Sequence, residues 1–208
     1  MSITTYAELK TAVARWMKRT DLTDYLSDYI ALAENRFWYG GQDAFPTKPL
    51  RIRAMQEQET GSVASGAIAF PTSHLETINL RISTGGQTYP LRYLAPQVYA
   101  EVAGSTDTPQ YYTFLDNAIK CGGTGSGTYI HDYYMRMTAL SDSNTTNWLL
   151  TNSPNVYLFG ACLEAALDIA SDSQTARFGN RYMGAINAIT NMEKNAMAGG
   201  SLAVMVGR

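Results

Sequence analysis

Glu164 and Asp168 stand four residues apart in an apolar stretch, a spacing that sets two carboxylates on one helical face. Paired carboxylates are the equipment of glycoside hydrolysis. Like charges so placed are expected to be relieved by Arg177, Arg181 or solvent. The run Gly122-Gly123-Thr124-Gly125-Ser126-Gly127 offers backbone amides of the kind that cradle phosphate. It lacks the Gly-Lys-Ser/Thr and following helix that a phosphate loop needs, and it leads into Thr128-Tyr129-Ile130, which has strand character. A hairpin loop is expected instead. His74 and His131 have no ligand spacing around them and read as ordinary solvated or half-buried side chains. Cys121 and Cys162 sit in dissimilar contexts and read as free thiols. Arg15, Lys18 and Arg19 cluster at a helix end, and Arg51 and Arg53 alternate along an extended stretch. Contact with DNA phosphate would use such residues, but solvated faces are the preferred reading. No catalytic residue, metal or cofactor is expected.

The elements that carry these residues are legible from local chemistry. Thr5-Tyr6-Ala7-Glu8 is a capping box that starts a helix running to about Lys18, with Leu9, Val13, Trp16 and Met17 on one face. A second helix runs from Asp21 or Thr23 to about Trp38 and stops at Gly40-Gly41. From Phe45 the prolines Pro46 and Pro49 break the helical grammar, and Leu50 to Met55 alternates with strand period. Further strands are expected at 66–70, 75–82, 88–91, 110–115, 118–121 and 128–137, with a short helix from Pro96 to Val102. Turns at Pro71-Thr72-Ser73, Thr84-Gly85-Gly86 and Asp116-Asn117 separate the strands. Helix returns at Pro154, capped by Ser153 and apolar almost all round to Ala170, as an enclosed helix would be. A last long helix reaches about Met197.

The expected fold is therefore α+β, mainly α: a helical bundle made by residues 1–44 and 147–198, an inserted antiparallel β region over 45–146, and a flexible C-terminal arm over 199–208. With 208 residues the chain can bury its own core. Charged residues make up 16% of it, against about 25% in typical soluble domains, while Tyr occurs 14 times. That composition suits surfaces covered by other subunits, because Tyr combines a large ring with a hydroxyl that tolerates water. A net charge of −2, with both signs mixed, gives no general pull towards nucleic acid or acidic lipid. Neither an export signal nor a run of 18 apolar residues is present, so no membrane partner is expected.

The segment from Leu140 to Ala166, through Asn147-Trp148-Leu149-Leu150-Thr151-Asn152-Ser153-Pro154, resembles the signature of phage head-to-tail adaptor proteins. Thr4-Thr5-Tyr6-Ala7-Glu8-Leu9-Lys10, Ala33-Glu34-Asn35-Arg36-Phe37, Leu91-Arg92-Tyr93-Leu94-Ala95-Pro96 and Pro109-Gln110-Tyr111-Tyr112-Thr113 resemble the same family in the same order. The resemblance implies a structural virion protein, made in the host cytoplasm and forming a ring beneath the portal protein. Twelve copies are expected, to match the portal, with a platform for tail or nozzle proteins below and passing DNA in the lumen, read without sequence specificity. Asn147, Trp148 and Thr151-Asn152-Ser153 are expected to fix how the chain enters the helices rather than to act on a partner. A tail-associated cell-wall hydrolase is the alternative.

The C-terminal Gly199-Gly200-Ser201 joint leads into apolar, strand-capable Leu202, Ala203, Val204, Met205 and Val206. Such an arm can add a strand to a partner's sheet. In adaptors of this kind a C-terminal extension reaches the portal, so these five residues are expected to dock there or on the neighbouring subunit.

Overall fold

The computed structural model describes residues 3–63, 66–102, 109–122 and 127–198. The chain divides into two compact units. One takes the chain up to Ala54 and again from Met137; the other is Met55–Arg136. The fold is α+β.

In the helical unit, α1 (Tyr6–Met17) and α2 (Leu26–Tyr39) precede the interruption, and α4 (Trp148–Asn152), α5 (Pro154–Asp168) and α6 (Asp172–Ala198) follow it. The labels α3 and β1 to β8 belong to the other unit. The capping box forms as expected: Thr5 Oγ1 accepts from Glu8 N at 3.3 Å, and the Glu8 carboxylate accepts from Thr5 N at 3.1 Å. α1, α2 and α6 pack around α5. Val156, Tyr157, Ala161, Cys162, Leu163, Ala165 and Ala166 of α5 are fully buried, in keeping with its all-round apolar sequence. Close approach to α2 depends on Gly160, where a Cβ would lie 3.0 Å from Phe37 Cε1 and 3.1 Å from Ala33 Cβ. α2 ends at Gly40, whose φ of +83° excludes other residues.

In the β unit, β1 (Gln56–Ser62), β8 (Thr128–Met135), β3 (His74–Thr84) and β4 (Gln87–Pro90) form one antiparallel sheet in that order. A second sheet runs β2 (Ala67–Ala69), β7 (Ala118–Cys121), β6 (Tyr111–Leu115), β5 (Arg92–Tyr93), and its β5–β6 pairing is parallel. α3 spans Pro96–Val102. Both sheets bury a single core of Val63, Ile68, Leu80, Ile82, Leu91, Ile119, Cys121 and Tyr129. Gly85 and Gly86, and Asp116 and Asn117, have positive φ, as tight two-residue hairpins require.

Three expectations about elements are corrected. Leu50 to Met55 is not a strand: Leu50 and Ile52 are buried among the helices, Leu50 N donates to Phe37 O at 2.8 Å, and a 3₁₀ turn covers Arg53–Met55. The alternation is real, but its cause is packing rather than pairing. The strand lies next door, at Gln56–Ser62, where polar side chains point outwards from a sheet edge. The approach to α5 is itself a helical turn, α4, and Ser153 makes no side-chain cap. Asn147 caps α4, its Oδ1 accepting from Leu150 N at 3.0 Å.

Candidate assembly surfaces

Several of the residues singled out for chemistry are held by structural partners. Glu164 and Asp168 take different partners. Glu164 accepts from Arg36 Nε at 2.6 Å, and Asp168 accepts from the Tyr29 hydroxyl at 2.6 Å. The expected partners Arg177 and Arg181 lie elsewhere, over aromatic rings. Arg36 also donates to Asp43 at 2.8 Å. Burial alone would lower the pKa of Arg36, but its hydrogen bonds to the Asp43 and Glu164 carboxylates outweigh that and leave the guanidinium held well above its ordinary value. Burial, reinforced by the bond to Asp168, raises Tyr29 to about 12. Arg53 is exposed and Arg51 half-buried, and both also act as fasteners. Arg51 Nη1 donates to Trp38 O at 3.2 Å and to Leu50 O at 2.8 Å, and both Arg53 N and Nε donate to Glu193 at 3.0 Å.

The two histidines meet, which their separation in sequence concealed. Their rings lie 5.4 Å apart, and Thr77 Oγ1 stands within hydrogen-bond distance, 3.0 Å, of each Nε2. Register irregularities in the β3–β8 pairing between His74/Glu76 and Thr77/Asn79 sit at this point. His131 is fully buried. Cys121 and Cys162 are buried free thiols in different units. Among the described residues no group of three or more His, Cys, Asp or Glu is arranged to hold a metal ion. The glycine run falls largely outside the described residues, as do Leu202 to Val206.

What the surface offers is aromatic and apolar. Tyr25, just before α2, and Leu32 and Tyr39 on it are exposed at seven-residue intervals, and a groove of about 450 Å³ runs beside Leu32, Arg36, Tyr39, Asp43 and Glu164. Arg36 Nη1 is buried there with no hydrogen-bond partner among the described residues. A second surface lies where the end of α1 meets α6. Trp16 packs edge-on against Phe159 at 5.6 Å, the Arg181 guanidinium sits 5.2 Å from the Trp16 ring centre, and Arg177 sits 6.0 Å from it. A hollow of about 310 Å³ is lined there by Arg15, Trp16, Lys18 and Arg177. In the β unit, Tyr93, Tyr112 and Phe114 form a cluster of rings at 5.4 to 5.7 Å. A cavity of about 490 Å³ lies beside Tyr89, Arg92, Gln110 and Tyr111.

One buried network ties distant segments of the helical unit. Glu34 Oε1 accepts from the Tyr157 hydroxyl at 2.9 Å and from Leu140 N at 2.9 Å. The Tyr157 hydroxyl accepts in turn from Asn147 Nδ2 at 2.7 Å, and that amide also donates to Thr138 O at 3.2 Å. The sequence profile of the SU10 adaptor protein family matches the chain over residues 4–205. The chain belongs to that family. No curated protein matches the sequence.

Membership as a phage head-to-tail adaptor agrees with how the motifs of the resemblance close on one another. Tyr6 N, in the first, donates to Thr145 O in the signature segment at 2.7 Å. Glu34 and Arg36, in the second, bond Tyr157 and Glu164 of that same segment. Arg92 N and Leu94 N, in the third, donate to Gln110 O at 3.0 Å and Tyr112 O at 2.9 Å in the fourth. The motifs that carry the resemblance thus serve the fold of this chain, and Asn147 and Tyr157 have a structural task within it.

Proposed function

We propose that this SU10 adaptor is a structural component of the virion that assembles as a ring of twelve copies beneath the portal and offers an attachment platform to tail or nozzle proteins. The helical unit acts as a bundle into which the β unit is inserted, and DNA leaving the head passes through the lumen without sequence-specific contact. The observation that carries this reading is the family match over residues 4–205. Exposed Tyr25, Leu32, Tyr39, Tyr93 and Phe114 give it physical support, since aromatic surface of this kind is suited to burial between subunits. Among the described residues no helix is long and apolar enough to cross a membrane.

The C-terminal arm completes the proposal: Leu202, Ala203, Val204, Met205 and Val206 add to the portal or to the neighbouring subunit as an extended segment. Native mass measured on the adaptor alone, and after mixing with its portal ring, tests the whole reading. A stable complex with one adaptor per portal subunit supports it, and an intact portal ring that takes up no adaptor removes it. Full portal binding by a chain lacking residues 199–208 would remove the arm alone.

A further inference from the structure

A closed ring of identical subunits needs two different faces on each copy that fit one another. Resting on the ring reading above, we infer that the two faces are the basic end of α1 with α6, and the outer side of α2.

The first face carries an unusual set of cations. Arg177 lies 5.3 Å from the Phe178 ring centre and 6.0 Å from that of Trp16; Arg181 lies 5.2 Å from Trp16 and 5.5 Å from Phe159. Aromatic faces, not carboxylates, hold these guanidiniums, and neither has an acidic partner among the described residues. Their hydrogen-bonding edges therefore stay available to an acidic partner from outside the chain. Arg15 and Lys18 add charge beside the same Trp16 hollow, which has no acidic residue in its lining.

The second face is the complement in sign and in shape. Asp24 and Asp28 are exposed near the start of α2 and have no cationic partner among the described residues. Tyr25, Leu32 and Tyr39 are exposed on the same side, 55%, 49% and 59% respectively, so an apolar stripe runs on from the two carboxylates. The stripe borders the groove where Arg36 Nη1 is buried without a partner. Arg36 is already matched by Asp43 and Glu164, so this last donor suits an uncharged oxygen, such as a backbone carbonyl of the neighbour. α1 leads into α2 through residues 18–25, so its basic end and the acidic start of α2 lie at the same end of the helical unit. Two faces at one level are what rotation about a ring axis requires. Charge complementarity within one chain selects a second copy as the occupant.

The test is a charge exchange read by native mass on the portal ring. One variant carries R177E and R181E; the other carries D24R and D28R. Each alone faces like charge across every contact and should lose ring assembly by about tenfold or more. The two variants mixed in equal amounts should assemble again, alternating around a ring of even number, because each then meets the opposite charge. The chain bearing all four substitutions should assemble too. A folding defect would not be rescued by mixing, and circular dichroism of each variant checks this directly. Wild-type-like assembly of the single-face variants, or failure of both rescues, overturns the inference while leaving the ring reading intact. A ring that persists in R177E/R181E but loses affinity for DNA would assign the basic face to nucleic acid and overturn it equally. Failure of the wild-type chain to assemble on the portal removes the ring reading and this inference with it.

Discussion

The Tyr157 hydroxyl donates to Glu34 Oε1 at 2.9 Å across 123 positions of sequence, with both side chains buried. The same hydroxyl accepts from Asn147, so one oxygen joins α2, the cap of α4 and α5. The raised pKa of Tyr157, which burial dominates, keeps it protonated as this donor.

Replacement of Tyr157 by Phe keeps the ring and removes that oxygen. Buried Glu34 then loses a donor, and half-buried Asn147 loses an acceptor. The expected cost is about 1–3 kcal/mol, read from equilibrium urea unfolding. A loss below about 0.5 kcal/mol would mean that the network does not hold the helices together.

Gly160→Val should destabilise through crowding. Its Cβ alone would come within 3.0 Å of Phe37 and 3.1 Å of Ala33, and two further methyls have no room between α5 and α2. The expected loss is about 1–3 kcal/mol, visible as a lower thermal midpoint, with Gly160→Ala costing less.

Acid should weaken the β unit in a defined window. Burial pushes His131 down to about 4, with the adjacent His74 adding to the shift, and burial lowers His74 as well. An unfolded imidazole takes its proton near 6.5, so below that pH the unfolded chain binds more protons than the folded one. The stability of the neutral pair is complete above pH 6.5 and is lost as pH falls towards 4, by up to roughly 3 kcal/mol for His131. Unfolding measured at pH 7 and pH 4.5 should show the loss, and His131→Gln should flatten the slope between them.

Neither thiol should react while the chain is folded. Burial raises Cys162 to about 12 and Cys121 to about 11, so almost no thiolate forms at neutral pH. A thiol-specific colorimetric reagent should count no fast-reacting cysteine in native protein and two in denaturant. A fast native reaction would show that one of the two units opens readily.

Features decided within a few residues were legible in the sequence. The Thr5–Glu8 capping box, the Gly40 stop, the Asp116-Asn117 hairpin and the enclosed character of α5 all depend on local chemistry. Features decided by pairing were not. Gln56–Ser62 is a strand because β8 pairs with it, and nothing in a run of Gln and Glu announces that. Glu164 looked for a cation 13 or 17 positions onward and found Arg36 on α2, 128 positions back. His74 and His131 come together only through the register of β3 on β8, which the sequence does not state. The basic face was half visible: Arg15 and Lys18 were evident as a helix end, while the Arg177 and Arg181 that complete it required the packing of α6.

The division of the helical unit by the β unit also sets an order of events on the ribosome. α1 and α2 are made first, yet the helix that covers Leu9, Val13, Ile30 and Phe37 is not translated until every strand has emerged. Synthesis therefore finishes the inserted unit, Met55–Arg136, while the first helices still show bare apolar faces. Glu34 waits for a hydroxyl that arrives 123 residues later.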